Sequence, residues 1–159
     1  MERVRPATAY DVPVVLQLVR ELAAYEREPD AVEATETMLH DALFGPAPAA
    51  SALVAEHDGE VVGFALWFPT FSTWTGRPGL WLEDLFVRPQ ARGTGLGTAL
   101  LVELAGICTA RGWTRFEWWV LDWNTPAQGF YRSLGALPQD DWTTWRVDGD
   151  ALLRLAGGG

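Results

Sequence analysis

The sequence predicts an α/β protein on a mixed sheet, and three observations carry that prediction. An amphipathic helical pattern begins near residue 8, and two β-rich apolar runs further on are joined by Asp58-Gly59. Another apolar run ends in a glycine-rich turn that opens directly into a long helical pattern. Periods near 3.6 and near 2 therefore alternate along one chain, as they do when helices cover a sheet.

Taken in order, Thr8 and Asp11 form a variant capping box, after which Val12, Val15, Leu16, Val19, Leu22 and Ala23 share one helical face. A second helix is expected from Thr35 through Met38, Leu39, Ala42 and Leu43 to a stop at Gly45-Pro46. The run PAPAAS is a loop. Ser51 to His57 and Glu60 to Phe68 are strands, and Asp58-Gly59 between them suits a two-residue hairpin, so they pair antiparallel. A loop is expected from Pro69 to Gly79, then a largely buried strand from Leu80 to Val87 that ends before Pro89. Leu96, Leu100, Leu101, Leu104 and Ile107 mark a helix to Ala110, stopped by Gly112. Arg115 to Leu121 reads as a strand. Thr125 as N-cap and Pro126 at the first position open a short helix carrying Phe130 and Tyr131, which ends before Gly135. Trp142 to Val147 is the last expected strand, and the terminal GGG is expected to fray.

The 159 residues, 48% of them hydrophobic, suit one domain spanning 1 to 159 with a real core. Residues 1 to 30 lack the apolar core of a signal peptide, and no window approaches the roughly 20 apolar residues of a membrane span, so a cytoplasmic protein without a membrane partner is expected. The formal net charge of -9 argues against nucleic acid, which demands clustered Lys and Arg, and suits cationic ligands better. The single cysteine, Cys108, falls within a helical pattern and reads as a buried thiol. Nine tryptophans serve either core and dimer interface or a pocket of aromatic faces for an alkylammonium group. The two histidines, His40 and His57, are scattered and form no ligand cluster, so no metal is expected.

The turn Gln90-Ala91-Arg92-Gly93-Thr94-Gly95-Leu96-Gly97 joins strand to helix, and amides of Gly93 to Thr98 at the helix start can hold a pyrophosphate. A P-loop is excluded because no lysine stands nearby. The dinucleotide fingerprint GxGxxG fails because Thr98 occupies its third glycine position. Gln90, Gly93 and Gly95 do match the signature of Gln or Arg, two residues, Gly, one residue, then Gly or Ala.

That signature, in LWLEDLFVRPQARGTGLGTALL followed by WNTPAQGFYRSLGA, resembles the GNAT acetyltransferase superfamily and its diamine acetyltransferase branch. RPATAYD, ELAAYE, VVGFALWF and WRVDGDALLRLA extend the resemblance over nearly the whole chain. It implies a mixed, mostly antiparallel sheet flanked by helices and splayed at an acetyl-CoA site. It further implies that the turn, through Arg92, Gly93, Thr94, Gly95, Leu96, Gly97 and Thr98, binds the CoA pyrophosphate. Leu85 and Val87 would pair with the pantetheine arm, and Asn124 would contact CoA. The implied activity is transfer of acetyl from acetyl-CoA to a primary amine of a small molecule, a diamine or polyamine or a lysine-like amino acid.

An alkylamine of pKa about 10.4 is protonated at neutral pH, so offering the free amine costs roughly 4 to 5 kcal/mol and calls for a base. Glu83 matches the carboxylate that removes that proton, acting through water, with Asp84 expected on the opposite face of the strand. Tyr131 matches the acid that protonates the departing thiolate. Tyr25, Glu26, Trp74 and Asp140 or Asp141 match positions around the amine. Ser72 stands where the branch carries an aspartate two residues before the tryptophan aligned with Trp74, which leaves the amine open. Relatives imply a homodimer that completes the amine site across its interface. An acyl-CoA sensor without turnover and a peptide or protein N-acetyltransferase are the competing readings.

Overall fold

A computed structural model describes residues 2–157, and their five strands form one sheet in the order β1-β2-β3-β4-β5. The strands are β1 (Glu2–Pro6), β2 (Ser51–His57), β3 (Glu60–Ser72), β4 (Arg77–Val87) and β5 (Phe116–Trp118). Neighbours run antiparallel except β4 and β5, which are parallel, so the mixed, mostly antiparallel sheet is as expected. The helices are α1 (Val12–Tyr25), α2 (Glu36–Phe44), α3 (Leu96–Arg111), α4 (Thr125–Ser133) and α5 (Gly149–Leu155). The chain forms two compact units, one running to Leu121 and one from Asp122 onward that holds α4 and α5.

In the first unit, both faces of the sheet are covered. Val12, Val15, Leu16 and Leu18 of α1 and Leu39 and Leu43 of α2 pack on Ala52, Val54, Phe64 and Phe86. Leu53, Ala55 and Ala65 alternate with those strand residues and are buried too, as are Leu96, Leu100, Leu101 and Leu104 of α3, which packs on the sheet. Strand alternation assigns this second set to the opposite face. Cys108 is buried there, and burial pushes its thiol up from its ordinary value. Among the described residues no helix is long and apolar enough to cross a membrane.

Strand β1 has no counterpart in the sequence reading, because the five residues Glu-Arg-Val-Arg-Pro, with one valine between two arginines, are too short to declare a period. Tertiary contacts make it a strand. Arg5 donates to both Asp11 oxygens, at 2.8 and 3.0 Å, and to Glu56 of β2 at 2.7 Å. That hydrogen-bonded pairing holds the Asp11 carboxyl below its ordinary value despite partial burial. Asp11 also accepts from the Thr8 N–H at 2.7 Å, the contact the capping pattern anticipates.

Four other expectations shift. The hairpin of β3 and β4 extends to Ser72 and Arg77, so the loop expected from Pro69 to Gly79 shrinks to a tight turn. Its tip is held by Ser72 Oγ, which accepts from the N–H groups of Trp74 and Thr75 and from Arg115 Nη1. Asn124, not Thr125, caps α4, accepting from Ala127 N–H at 3.4 Å. Strand β5 is confined to Phe116–Trp118, and residues 142–147 form no strand while α5 follows them. A β-rich run becomes a strand only where a sheet edge accepts its ladder, and that is decided far from the run itself.

Candidate functional site

Strand β4 outlasts its partner on one side. The parallel ladder with β5 stops at the pair Leu82 and Trp118, whereas β4 continues to Val87. The sheet is thus splayed beside β4. The Arg88 N–H turns inward to Val62 O at 2.8 Å, so alternation turns the backbone groups of Val87, and of Leu85 two residues earlier, toward the open edge. On that edge the Val87 carbonyl accepts from Arg92 Nε at 3.1 Å. The Arg92 guanidinium lies 5.3 Å from the centroid of the Tyr25 ring and 5.8 Å from that of Phe86. It joins the glycine turn to the end of α1.

The turn that follows has the backbone of an anion cradle. Gly93 and Gly95 have φ of +82° and +85°, a region that side chains other than glycine enter at a cost. Gly95 is the residue before α3, and the first turn of that helix leaves the N–H groups of Leu96, Gly97 and Thr98 without acceptors inside the helix. A Cβ built at Gly93, Gly95 or Gly97 would meet nothing within 4 Å, so the backbone is open to a ligand there. Thr94 Oγ1 donates to Ala91 O at 2.6 Å and ties the turn to the residues after β4. A groove of about 430 Å³ adjoins it, with Gly95, Leu96 and Thr98 on one wall and Arg3 and Val4 on the other.

Register corrects one expectation about the carboxylates. Asp84 pairs with Leu66 while Leu82 pairs with Trp67, so Glu83 is an extra residue on β4, a β-bulge. Leu66 packs with the α1 and α2 core, and residues directly opposite share a face, which places Asp84 on that face. Trp81, opposite Phe68, shares it as well, and its indole donates to Glu83 Oε2 at 3.0 Å. Glu83 and Asp84 therefore do not separate to opposite faces as regular alternation requires. The bulge cancels one step of the alternation. No local signal in LEDL announces it, because a bulge is a mismatch between two strands.

Glu26, at the end of α1, completes a group of three carboxylates. Asp84 is pushed up to about 7, first by burial and then by the charges of Glu83 and Glu26. Glu26 is raised by burial and by Glu83. The arginines following β4 are engaged elsewhere, Arg88 with Glu21 at 3.0 Å and Arg92 with Val87 O. This site disfavours its own negative charge, so it favours a cation or a retained proton. Between its ordinary 3.8 and about 7, folded Asp84 keeps a proton that the unfolded chain has lost. Stability conferred by that proton falls as pH rises through this window. The Asp84→Asn variant is expected to lose less thermal stability than wild type between about pH 4 and about pH 8; parallel melting curves would disprove the assignment.

Other sequence-predicted residues fall as follows. Tyr25 is the last residue of α1 and stands beside Arg92. Trp74 lies at the tip of the β3–β4 hairpin and is 80% exposed. From Arg77 to Glu83 is six residues of strand, about 20 Å at roughly 3.3 Å each, so one chain does not bring Trp74 to its own carboxylates. In the second unit, Asn124 caps α4, Tyr131 lies on that helix with its ring 5.6 Å from Phe130, and Asp140 and Asp141 lie in a turn ahead of Trp142. Trp81 was not singled out from the sequence; a tryptophan two residues before a strand glutamate is the signal that points to it.

The family model described as Acetyltransferase (GNAT) family matches residues 15–136. The chain is 37% identical over 165 residues to thialysine N-epsilon-acetyltransferase of Sus scrofa, covering 97% of this chain and 96% of that protein. It is 29% identical over 198 residues to L-ornithine N5-acetyltransferase of Arabidopsis thaliana, covering 96% and 87%. Among solved structures, an integron cassette protein from the mobile metagenome of V. cholerae superposes with a TM-score of 0.81 at 26% identity, covering 98% of this chain and 97% of that one.

Proposed function

From the premise that this chain belongs to the GNAT acetyltransferase family, we infer that it transfers the acetyl group of acetyl-CoA to a primary amine of a small cationic molecule. One observation carries the choice of a cationic acceptor: Glu26, Glu83 and Asp84 crowd one face of β4 at the point where the sheet splays. A bound ammonium group offsets their repulsion.

The open edge and the glycine turn fit acetyl-CoA. Backbone groups of Leu85 and Val87 suit the amides of an extended pantetheine arm, and the amides from Gly93 to Thr98 at the start of α3 suit its pyrophosphate. Arg92 and Asn124 complete that half of the site. Glu83 takes a proton from the bound ammonium through water, and the freed amine attacks the thioester carbon. A strand N–H, that of Leu85, polarises the carbonyl oxygen. A carbon–nitrogen bond forms, the carbon–sulfur bond breaks, Tyr131 gives its proton to the sulfur, and the second proton shed by the acylated nitrogen returns through solvent to the tyrosine oxygen. N-acetylated amine and the CoA thiol leave.

Tyr25 and Glu26 suit contacts to the rest of the amine, the resemblance adds Asp140 or Asp141 as a further acidic contact, and the transferase domain takes in residues 1 to 159, since the pig relative matches over almost its full length. We place the enzyme in the cytoplasm as a homodimer whose partner subunit receives the exposed hairpin tip at Trp74. The exposure of Phe71 and Trp74 on that tip supports this, and a 17.5 kDa species alone in sedimentation equilibrium would rule it out. A lysine-like amino acid is the leading acceptor. Two relatives are named for thialysine and ornithine, and Ser72, where the diamine branch has an aspartate, is occupied here as the hairpin's turn acceptor. A short diamine or polyamine is second.

Thiol release from acetyl-CoA, measured with thialysine, lysine, ornithine, putrescine, spermidine and short peptides, tests the reading. Turnover is expected with thialysine or another of the small amines and not with the peptides. Tight CoA binding with no turnover on any of them would favour a sensor, and turnover on peptides alone would overturn the small-amine acceptor.

A further inference from the structure

Building on the reading of Glu83 as the base, we propose that Trp81 is a positioning residue that holds the Glu83 carboxylate in its working orientation through the indole N–H. Three features meet at this contact. Trp81 and Glu83 stand two apart on the same face of β4, and Trp81 Nε1 donates to Glu83 Oε2 at 3.0 Å. The Trp81 ring is itself held by the Trp119 ring, edge to face at 5.1 Å and 82°. Trp119 is the first residue beyond β5, so the ring pair lies where the two strands part.

The chemistry suits orientation and not proton exchange. An indole N–H donates one hydrogen bond and accepts none, so Trp81 cannot carry the proton that Glu83 removes. An exposed glutamate such as Glu83 has three freely turning side-chain torsions. Engaging Oε2 removes much of that freedom and leaves Oε1 for the water between base and amine, so fewer orientations compete with the reactive one. The bulge at Glu83 makes this restraint necessary, because its backbone has left the regular ladder that would otherwise define the direction of its side chain. The ring contact explains why a tryptophan serves here. Phenylalanine would keep an aromatic ring beside Trp119, smaller than the indole, and would remove the donor.

The test uses the full chain with Trp81→Phe, Glu83→Gln and the double variant, assayed with whichever amine of the panel turns over. Trp81→Phe is expected to lower kcat roughly 3- to 10-fold with the KM for acetyl-CoA unchanged, and to cause no further loss once Glu83 is Gln. The indole N–H resonance that disappears in Trp81→Phe is expected to shift in Glu83→Gln and to stay in place in Glu26→Gln. That spectrum needs no acceptor and reads the hydrogen bond directly. An unchanged kcat in Trp81→Phe, a full additional loss in the double variant, or an indole resonance indifferent to Glu83→Gln would each overturn the proposal. A wild-type kcat in Glu83→Gln is a different result: it removes Glu83 as the base and takes down the premise itself.

Discussion

Tyr131→Phe is expected to lower kcat by about two orders of magnitude while CoA binds as tightly as before. Expulsion of a thiolate from the tetrahedral intermediate is faster when sulfur receives a proton as it leaves, and a phenol with an ordinary pKa of about 10 still carries one at neutral pH. Phenylalanine keeps the ring, its place on α4 and its packing against Phe130, and removes only the hydroxyl. The loss should therefore appear in the chemical step and not in the KM for acetyl-CoA. Steady-state kinetics beside a calorimetric CoA titration separate the two. A wild-type kcat would remove Tyr131 from the mechanism, and a parallel loss of CoA affinity would assign it to binding.

Gly95→Val is expected to weaken CoA binding at least about 100-fold, for two reasons that act together. At φ +85° a β-branched residue is strained by roughly 1 to 2 kcal/mol or more, which distorts the start of α3. Its side chain would also occupy the open space over the turn, where nothing of the protein lies within 4 Å of a Cβ and where the pyrophosphate is proposed to sit. Because the clash is with the ligand and not with the core, the variant should still fold, with a modest drop in melting temperature. Gly106→Ala is the control, since Gly106 lies inside α3 away from the turn, with an ordinary φ and open space for a Cβ, and should cost little. Wild-type CoA affinity in Gly95→Val would refute the phosphate cradle.

Most of the first unit was legible before any coordinates. The apolar stripe from Val12 to Ala23, the hairpin at Asp58-Gly59 and the leucines from Leu96 onward each contain their own periodicity, so a short window reveals them. The glycine turn was legible for the same reason, since both positive φ values fall on glycines of the motif. Strand β1 was not, because the five residues Glu-Arg-Val-Arg-Pro become a strand only by pairing with β2, a pairing that Arg5 reinforces through Asp11 and Glu56. Nor were the ends of the β3–β4 hairpin, where strand pairing overrode Pro69 and Gly79.

Sequence alone determined the family, the order of the main helices and strands, and the residue types available for acyl transfer, because those properties reside in local pattern and motif. Tertiary structure alone decided that Glu83 and Asp84 share one face with Glu26, that Trp81 grips Glu83, and that Trp74 stands apart from them. Each depends on the register between two strands or on how far a strand outlasts its neighbour. A shift of one residue in that pairing moves a side chain across the sheet, and nothing within a single strand records it.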